Sequence, residues 1–145
     1  MTDVNDLLDV KGRSVWTIGP DLPVRNGLKL MAEKKIGAVM VIEDGQIAGI
    51  FSERDFARKS ITIEGFSMNT PVRDLMSTPV YYILPNQTVE ECMTLMTEKR
   101  IRHLPVLDEN VLIGIISIGD VVRHLMKDKS ATIQDLEFYI LKNNQ

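Results

Sequence analysis

Cysteine occurs once, at position 92, and histidine only twice, at 103 and 124. A single thiol excludes an intramolecular disulfide, and beside two histidines it leaves none of the usual zinc spacings. No excess of basic charge is present either: 17 Lys and Arg stand against 20 Asp and Glu, a net charge of −3. The chain therefore has no overall field for nucleic acid or an anionic membrane, and any phosphate recognition has to come from a local cluster. The longest clearly apolar stretch, "VLIGII", falls far short of the roughly 18 to 20 residues that span a bilayer. The first residues, "MTDVNDLLDV", are acidic and lack the basic and apolar regions of a signal peptide. These absences lead to the expectation of a cytoplasmic, metal-free protein with neither nucleic acid nor membrane as partner. What is present is ordinary globular material, 145 residues with 44% hydrophobic and 26% charged side chains, enough for one compact domain or two small ones.

The sequence repeats itself. At an offset of 65 residues "PDLPVRNGLKLMAEKKI", from Pro20, lies on "PNQTVEECMTLMTEKRI", from Pro85, without a gap. The register continues until "GIFSERDFAR", Gly49 to Arg58, falls on "GIISIGDVVR", Gly114 to Arg123. Within each copy Val24, Gly27, Leu28 and Met31, or Val89, Cys92, Met93 and Met96, follow the i, i+3, i+4, i+7 pattern of a helix with one buried face. Thr88 and Glu91 read as a capping box, and Pro23 takes the place of Thr88 in the first copy.

After each helix come two short β-branched runs, "AVMVIE" with "IAGIF" and "LPVLD" with "LIGII". Asp44-Gly45 and Glu109-Asn110 join them as tight hairpins. A strand at "SVWTI" or "PVYYI" precedes the helix, and a second helix opens at Ser52 or Ser117. The fold class is thus α/β (α+β), with β-α-β-β-α read twice: a first repeat over 10–60, a connector over 61–74, a second repeat over 75–126 and a C-terminal helix over 127–145. Units of about 50 residues bury little apolar surface alone. They are expected to share a core about an approximate two-fold axis, with two equivalent clefts.

Ser52 with Asp55 and Ser117 with Asp120 form Ser-x-x-Asp pairs where a strand becomes a helix. The structural reading is a helix cap worth about 1 kcal/mol. The functional reading starts from Asp being shorter than the usual Glu or Gln of a capping box, which leaves the acid able to face outward. A helix start offers N–H groups and a positive dipole end to phosphate. An Asp one turn on suits a ribose diol, as at dinucleotide sites on another fold.

On these residues "MAEKKIGAVMVIEDGQIAGIFSERD" and "MTEKRIRHLPVLDENVLIGIISIGD" resemble the two halves of a cystathionine β-synthase (CBS) domain pair, or Bateman module. The resemblance covers nearly the whole chain. It implies a pseudo-two-fold pair of repeats, a homodimer, and a regulatory role in signal transduction through adenosine-containing ligands: AMP, ADP or ATP, or else NAD or S-adenosylmethionine. Carried over residue by residue, Asp55 and Asp120 would hold ribose hydroxyls, and Ser52 and Ser117 would sit beside phosphate. Gly37, Ala38 and Val39, with Arg102, His103, Leu104 and Pro105 in the second copy, would line the pocket. Thr17 and Ile18, and Tyr82 and Ile83, take the base-contacting positions, where the ring of Tyr82 narrows or fills the second base pocket. Arg54 adds a cation at the first junction, whereas Gly119 removes the side chain at the second. Arg102 and His103 place positive charge near the second site only. Unequal occupancy is therefore expected, and a bridging pyrophosphate would keep a dinucleotide in play.

Other residues have plainer readings. His103 is either a pH-dependent phosphate contact or a surface histidine. His103, Ser117 and Asp120 supply the residue types of a hydrolase triad, but nothing in the sequence sets a base against the serine. The methionines read as core filler and Trp16 as packing. In "SATIQDLEFYILKNNQ", Thr132 and Asp135 offer a cap, and Ile133, Leu136, Ile140 and Leu141 form a stripe that packs on the module or across a homodimer. The leading expectation is a regulatory module with no catalytic residue and an unknown effector protein. A ligand-free dimerisation scaffold and a small hydrolase are the competing ones.

Overall fold

The computed structural model describes residues 2–127 and 140–142. Its elements are α1 (Val4–Lys11), β1 (Thr17–Ile18), α2 (Val24–Lys34), β2 (Ala38–Glu43), β3 (Gln46–Ser52), α3 (Glu53–Lys59), α4 (Val89–Lys99), β4 (His103–Asp108), β5 (Val111–Ser117) and α5 (Ile118–Lys127). Mixed helix and sheet in tandem copies is the expected class. No described helix is long and apolar enough to cross a membrane.

Matched sequence makes matched local structure. Helices α2 and α4 bury Val24, Gly27 and Met31, or Val89, Cys92 and Met96, three of the four positions that the helical period selects, and leave Leu28 and Met93 half-buried. Both end in a left-handed residue, Lys35 or Arg100, at the same place in the repeat. The hairpin loops have positive φ at both central residues, Asp44 and Gly45 or Glu109 and Asn110, as a two-residue turn between right-twisted strands demands. Each hairpin shifts register at the same place, between Val41 and Ile42 or Val106 and Leu107. The Thr88 box closes only halfway: the Thr88 hydroxyl accepts the Glu91 N–H, but the Glu91 carboxylate accepts from Gln87 instead of turning back.

The chain divides into two compact units, Val15–Val80 and Met1–Ser14 with Tyr81–Gln145. In Val15–Val80 the sheet order is β1-β2-β3, with β1 parallel to β2. Its core holds Ile18, Val24, Met31, Val39, Val41, Phe51, Val72 and Leu75. The segment from Thr70 closes it: Val24 N–H donates to the Thr70 carbonyl, and Ser77 and Ile50 exchange backbone bonds. Met76 fills the space over Gly49, where a Cβ would come within 2.7 Å of its sulfur.

In the other unit α1 does that work. The sequence reading gave residues 2–8 no element, yet "TDVNDLL" lines up with "TPVRDLM" of 70–76. Val89 N–H donates to the Thr2 carbonyl, as Val24 does to Thr70. Val4 donates to Gln87 as Val72 does to Leu22. Leu8 fills the space over Gly114, where a Cβ would lie 2.6 Å from its side chain. Asp3 and Asp6 close a capping box that starts α1. Each copy of the opening segment thus packs on the core of the other copy.

The expected strand at "PVYYI" is reduced to one parallel bridge, Ile83 to Val106. In the first unit Met40 N–H donates to the Trp16 carbonyl at 3.0 Å. The counterpart of Met40 is Pro105, which has no N–H, so that ladder bond is lost. Of the expected C-terminal helix, Thr132, Ile133, Asp135 and Leu136 lie outside the described residues. Ile140–Lys142 are helical, with Ile140 and Leu141 exposed.

Candidate functional site

The two Ser-x-x-Asp junctions have the same bonding. Ser52 caps α3: its hydroxyl accepts the Asp55 N–H at 3.1 Å, and the Ser52 N–H and hydroxyl both donate to Asp55 Oδ2 at 2.9 Å. Ser117 repeats this with Asp120 at 3.2, 2.7 and 3.0 Å. Each helix start is fixed further by an amide of the first helical residue, Glu53 to the Gly37 carbonyl and Ile118 to the Arg102 carbonyl. These bonds satisfy donors that a helix start leaves open.

The carboxylates do not face outward, as their short side chains had allowed. Both turn back onto the cap, and both also accept from other side chains of the chain. Asp55 Oδ1 accepts the Ser77 hydroxyl at 2.6 Å and pairs with Lys59 at 3.3 Å, while Lys59 also donates to the Leu75 and Met76 carbonyls. Asp120 Oδ2 accepts the Lys11 ammonium at 2.6 Å, and Oδ1 accepts the Arg123 guanidinium. The Asp120 side chain is only 5% exposed and that of Asp55 12%. Burial alone would push the Asp120 carboxyl up. The bonds from Lys11 and Ser117, with the Lys11 charge, outweigh it and hold the group below the ordinary aspartate range.

The other residues named from the sequence divide by burial. Ile18, Ala38, Val39, Ile83, Leu104 and Pro105 are buried, and the backbone of Ile83 is already bonded to Pro105 and Leu107. Gly37, Arg54, Arg102 and His103 are half-buried. Thr17 is exposed, and Tyr82 is 51% exposed, so its ring does not fill a core position. A Cβ at Gly119 would lie in contact with the Arg123 guanidinium, 3.4 Å away. His103 stands opposite Ser117 in the β4–β5 pairing, but the Ser117 hydroxyl gives its proton to Asp120. That arrangement is the bonding of a helix cap.

Two grooves lie in the first unit. One, of about 530 Å³, is lined by Thr17, Ile18, Asn26, Lys29 and Glu33 among others. The second, of about 620 Å³, has Gly37, Glu53 and Phe56 in its wall. Ser52 and Asp55 line neither. Trp16 packs under Lys34, 4.1 Å from ammonium to ring centre, and its counterpart Tyr81 lies 5.0 Å from Lys99. The residues that sequence reasoning missed at the junctions are Lys11, Lys59, Ser77 and Arg123. The doubled Thr-x-Val-x-Asp-Leu segment was the available signal that residues 2–8 and 70–76 belong to the packed repeats.

Comparison with known proteins agrees with the doubled junction. The CBS domain profile matches the chain twice, over residues 7–61 and 72–127. A CBS domain-containing protein of Bacillus subtilis is 34% identical, over 90% of this chain and 91% of its own length. A solved structure from Burkholderia ambifaria, described as a candidate signal-transduction protein with CBS domains, is 47% identical with a TM-score of 0.84, covering 91% of this chain and 99% of that one. The structure of CBSX2 in complex with AMP shares the fold at 24% identity and a TM-score of 0.71, over 89% of this chain and 99% of that one. A profile that spans both repeats, set on the same strand-to-helix junction in each, places this chain in the CBS domain family.

Proposed function

We propose that the protein is a non-enzymatic regulatory module that binds an adenine nucleotide, AMP, ADP or ATP, at the strand-to-helix junctions of its repeats. In this reading Asp55 and Asp120 accept the ribose hydroxyls, and Ser52 and Ser117 lie beside phosphate. The observation that carries it is the doubling: two junctions 65 residues apart keep the same serine, the same acid and the same bonds. The AMP bound to CBSX2 supports the choice of nucleotide as first probe. NAD and S-adenosylmethionine meet the same diol-accepting acids and are the alternatives. Occupancy passes to an effector protein through a homodimer.

The first junction is the more open of the two, because Asp55 and its cation Lys59 are more exposed than Asp120 and Lys11. Thermal unfolding against AMP, ADP, ATP, NAD and S-adenosylmethionine tests the reading. A ligand at 100 times its Kd adds about 2.7 kcal/mol, a rise in Tm of about 5–10 °C for a chain of this size. Asp55→Asn is expected to remove most of that rise while leaving the unliganded Tm within a few degrees. A flat response to all five ligands, from protein freed of carried-over small molecules, overturns it.

One observation favours a second reading. Both carboxylates are engaged by the chain's own donors, which suits a ligand-free dimerisation scaffold. Sedimentation equilibrium showing a dimer, combined with the flat thermal response, selects that reading instead.

A further inference from the structure

Lys11 is the last residue of α1, and its ammonium reaches Asp120 Oδ2 at 2.6 Å and the Ile115 carbonyl at 2.5 Å, more than 100 residues away in sequence. In the first unit the matching acceptors are served otherwise. The carbonyl of Ile50, counterpart of Ile115, takes the Ser77 backbone N–H, and Asp55 takes Lys59 from its own helix, four residues on. Asp55 thus takes its cation from its own helix, and that lysine also holds the Leu75 and Met76 carbonyls. Freeing Asp120 disturbs a separate helix.

The attachment of α1 is graded along its length. Its start is fixed by backbone bonds from Val4 to Gln87 and from Asn5 to Pro85, and its middle by Leu8 over Gly114. At the last turn the polar ties to the unit come from Lys11. Asp120 Oδ2 already takes three donors, the Ser117 N–H and hydroxyl and the Lys11 ammonium, so a vicinal diol that bridges both oxygens has to displace one of them, whereas Oδ1 accepts from Arg123. Lys11, on Oδ2, shares that oxygen with the Ser117 cap. A nucleotide brings both groups the exchange needs, a diol for the carboxylate and a phosphate to receive the released ammonium.

We propose that Lys11 is a built-in occupant of Asp120, which makes the second junction the weaker nucleotide site and couples its filling to release of the last turn of α1. This deepens the nucleotide reading and rests on it. The test is calorimetric titration of the full chain with AMP in four forms: wild type, Asp55→Asn, Asp55→Asn with Lys11→Met, and that pair with Asp120→Asn added. Removing Lys11 in the Asp55→Asn background is expected to tighten AMP at least tenfold, and Asp120→Asn to abolish the gain. If Lys11→Met is too unstable to titrate, Lys11→Gln replaces it, keeping a neutral donor near the Ile115 carbonyl. Hydrogen exchange on the wild-type chain needs no variant: saturating AMP is expected to speed exchange at the end of α1 at least tenfold. AMP binding with neither effect overturns the coupling and leaves the nucleotide reading standing. Absence of heat in all four forms with AMP, and with ADP, ATP, NAD and S-adenosylmethionine in its place, overturns both.

Discussion

The acids of the two repeats sit in the same cap and yet depend on different parts of the chain. Asp55 draws its cation from Lys59 in its own helix and a hydroxyl from Ser77, while Asp120 draws its cations from Lys11 of α1 and from Arg123. A motif of four residues therefore specifies the cap but not what neutralises the acid within it. The cores follow the same logic. Gly27 lies against the ring of Phe51, and their counterparts are Cys92 and Ile116, so a small and a large residue in one unit become two intermediate ones in the other. Packing conserves the pair's volume rather than either residue.

Three changes break or sharpen this comparison. The largest effect is expected from Lys11→Met, which leaves the buried Asp120 with one cation fewer. Because Lys11 is partly exposed, the loss falls between the exposed-pair and buried-pair ranges, about 2 kcal/mol at pH 7 by urea unfolding. Its sign with pH is fixed. Asp120 is held below its unfolded value of about 3.9, so its contribution is complete above that pH and is lost as pH falls through the lower folded value. The gap between wild type and variant must close in acid; a gap that widens there contradicts the assignment.

Next comes Gly27→Cys, which overpacks Phe51 and is expected to cost about 1–2 kcal/mol. Adding Phe51→Ile rebuilds the pair of the other unit and is expected to recover part of that loss. A double-mutant cycle in urea that shows simple additivity refutes the volume exchange. The smallest effect belongs to Pro105→Val, which restores the missing N–H opposite Tyr81. A ladder bond is worth about 1 kcal/mol, and slowed hydrogen exchange at position 105 relative to an exposed amide is its signature.

The helices, hairpins and junctions were legible because each rests on a local rule: the helical period of Val24 to Met31, the turn chemistry of Asp44-Gly45, the cap at Ser52. Pro105 was legible too, as a residue that cannot donate within a strand, although the sequence reading used it only as pocket lining. What escaped were matters of partnership. Glu91 had the spacing of a capping box, but Gln87 was close enough to hold it. The opening segment escaped because "TDVNDLL" meets its twin at an offset of 68, outside the frame of 65 that aligns the rest. Nothing local to Lys11 marks it as the partner of Asp120, since that pairing exists only once α1 has packed on β5 and α5.

Exchange of the opening segments fixes where the molecule can be divided. A half-molecule excised at residues 10 and 60, as the repeat pattern invites, leaves Phe51 and Gly49 without Val72, Leu75 and Met76 above them. Excision at 15 and 80 carries that cover along in one unbroken piece. The other half has no such cut, because its cover is encoded at the far end of the polypeptide. Only a permuted gene, with the codons for residues 2–14 moved behind those for 81–127 and joined by a spacer, makes it a single fragment.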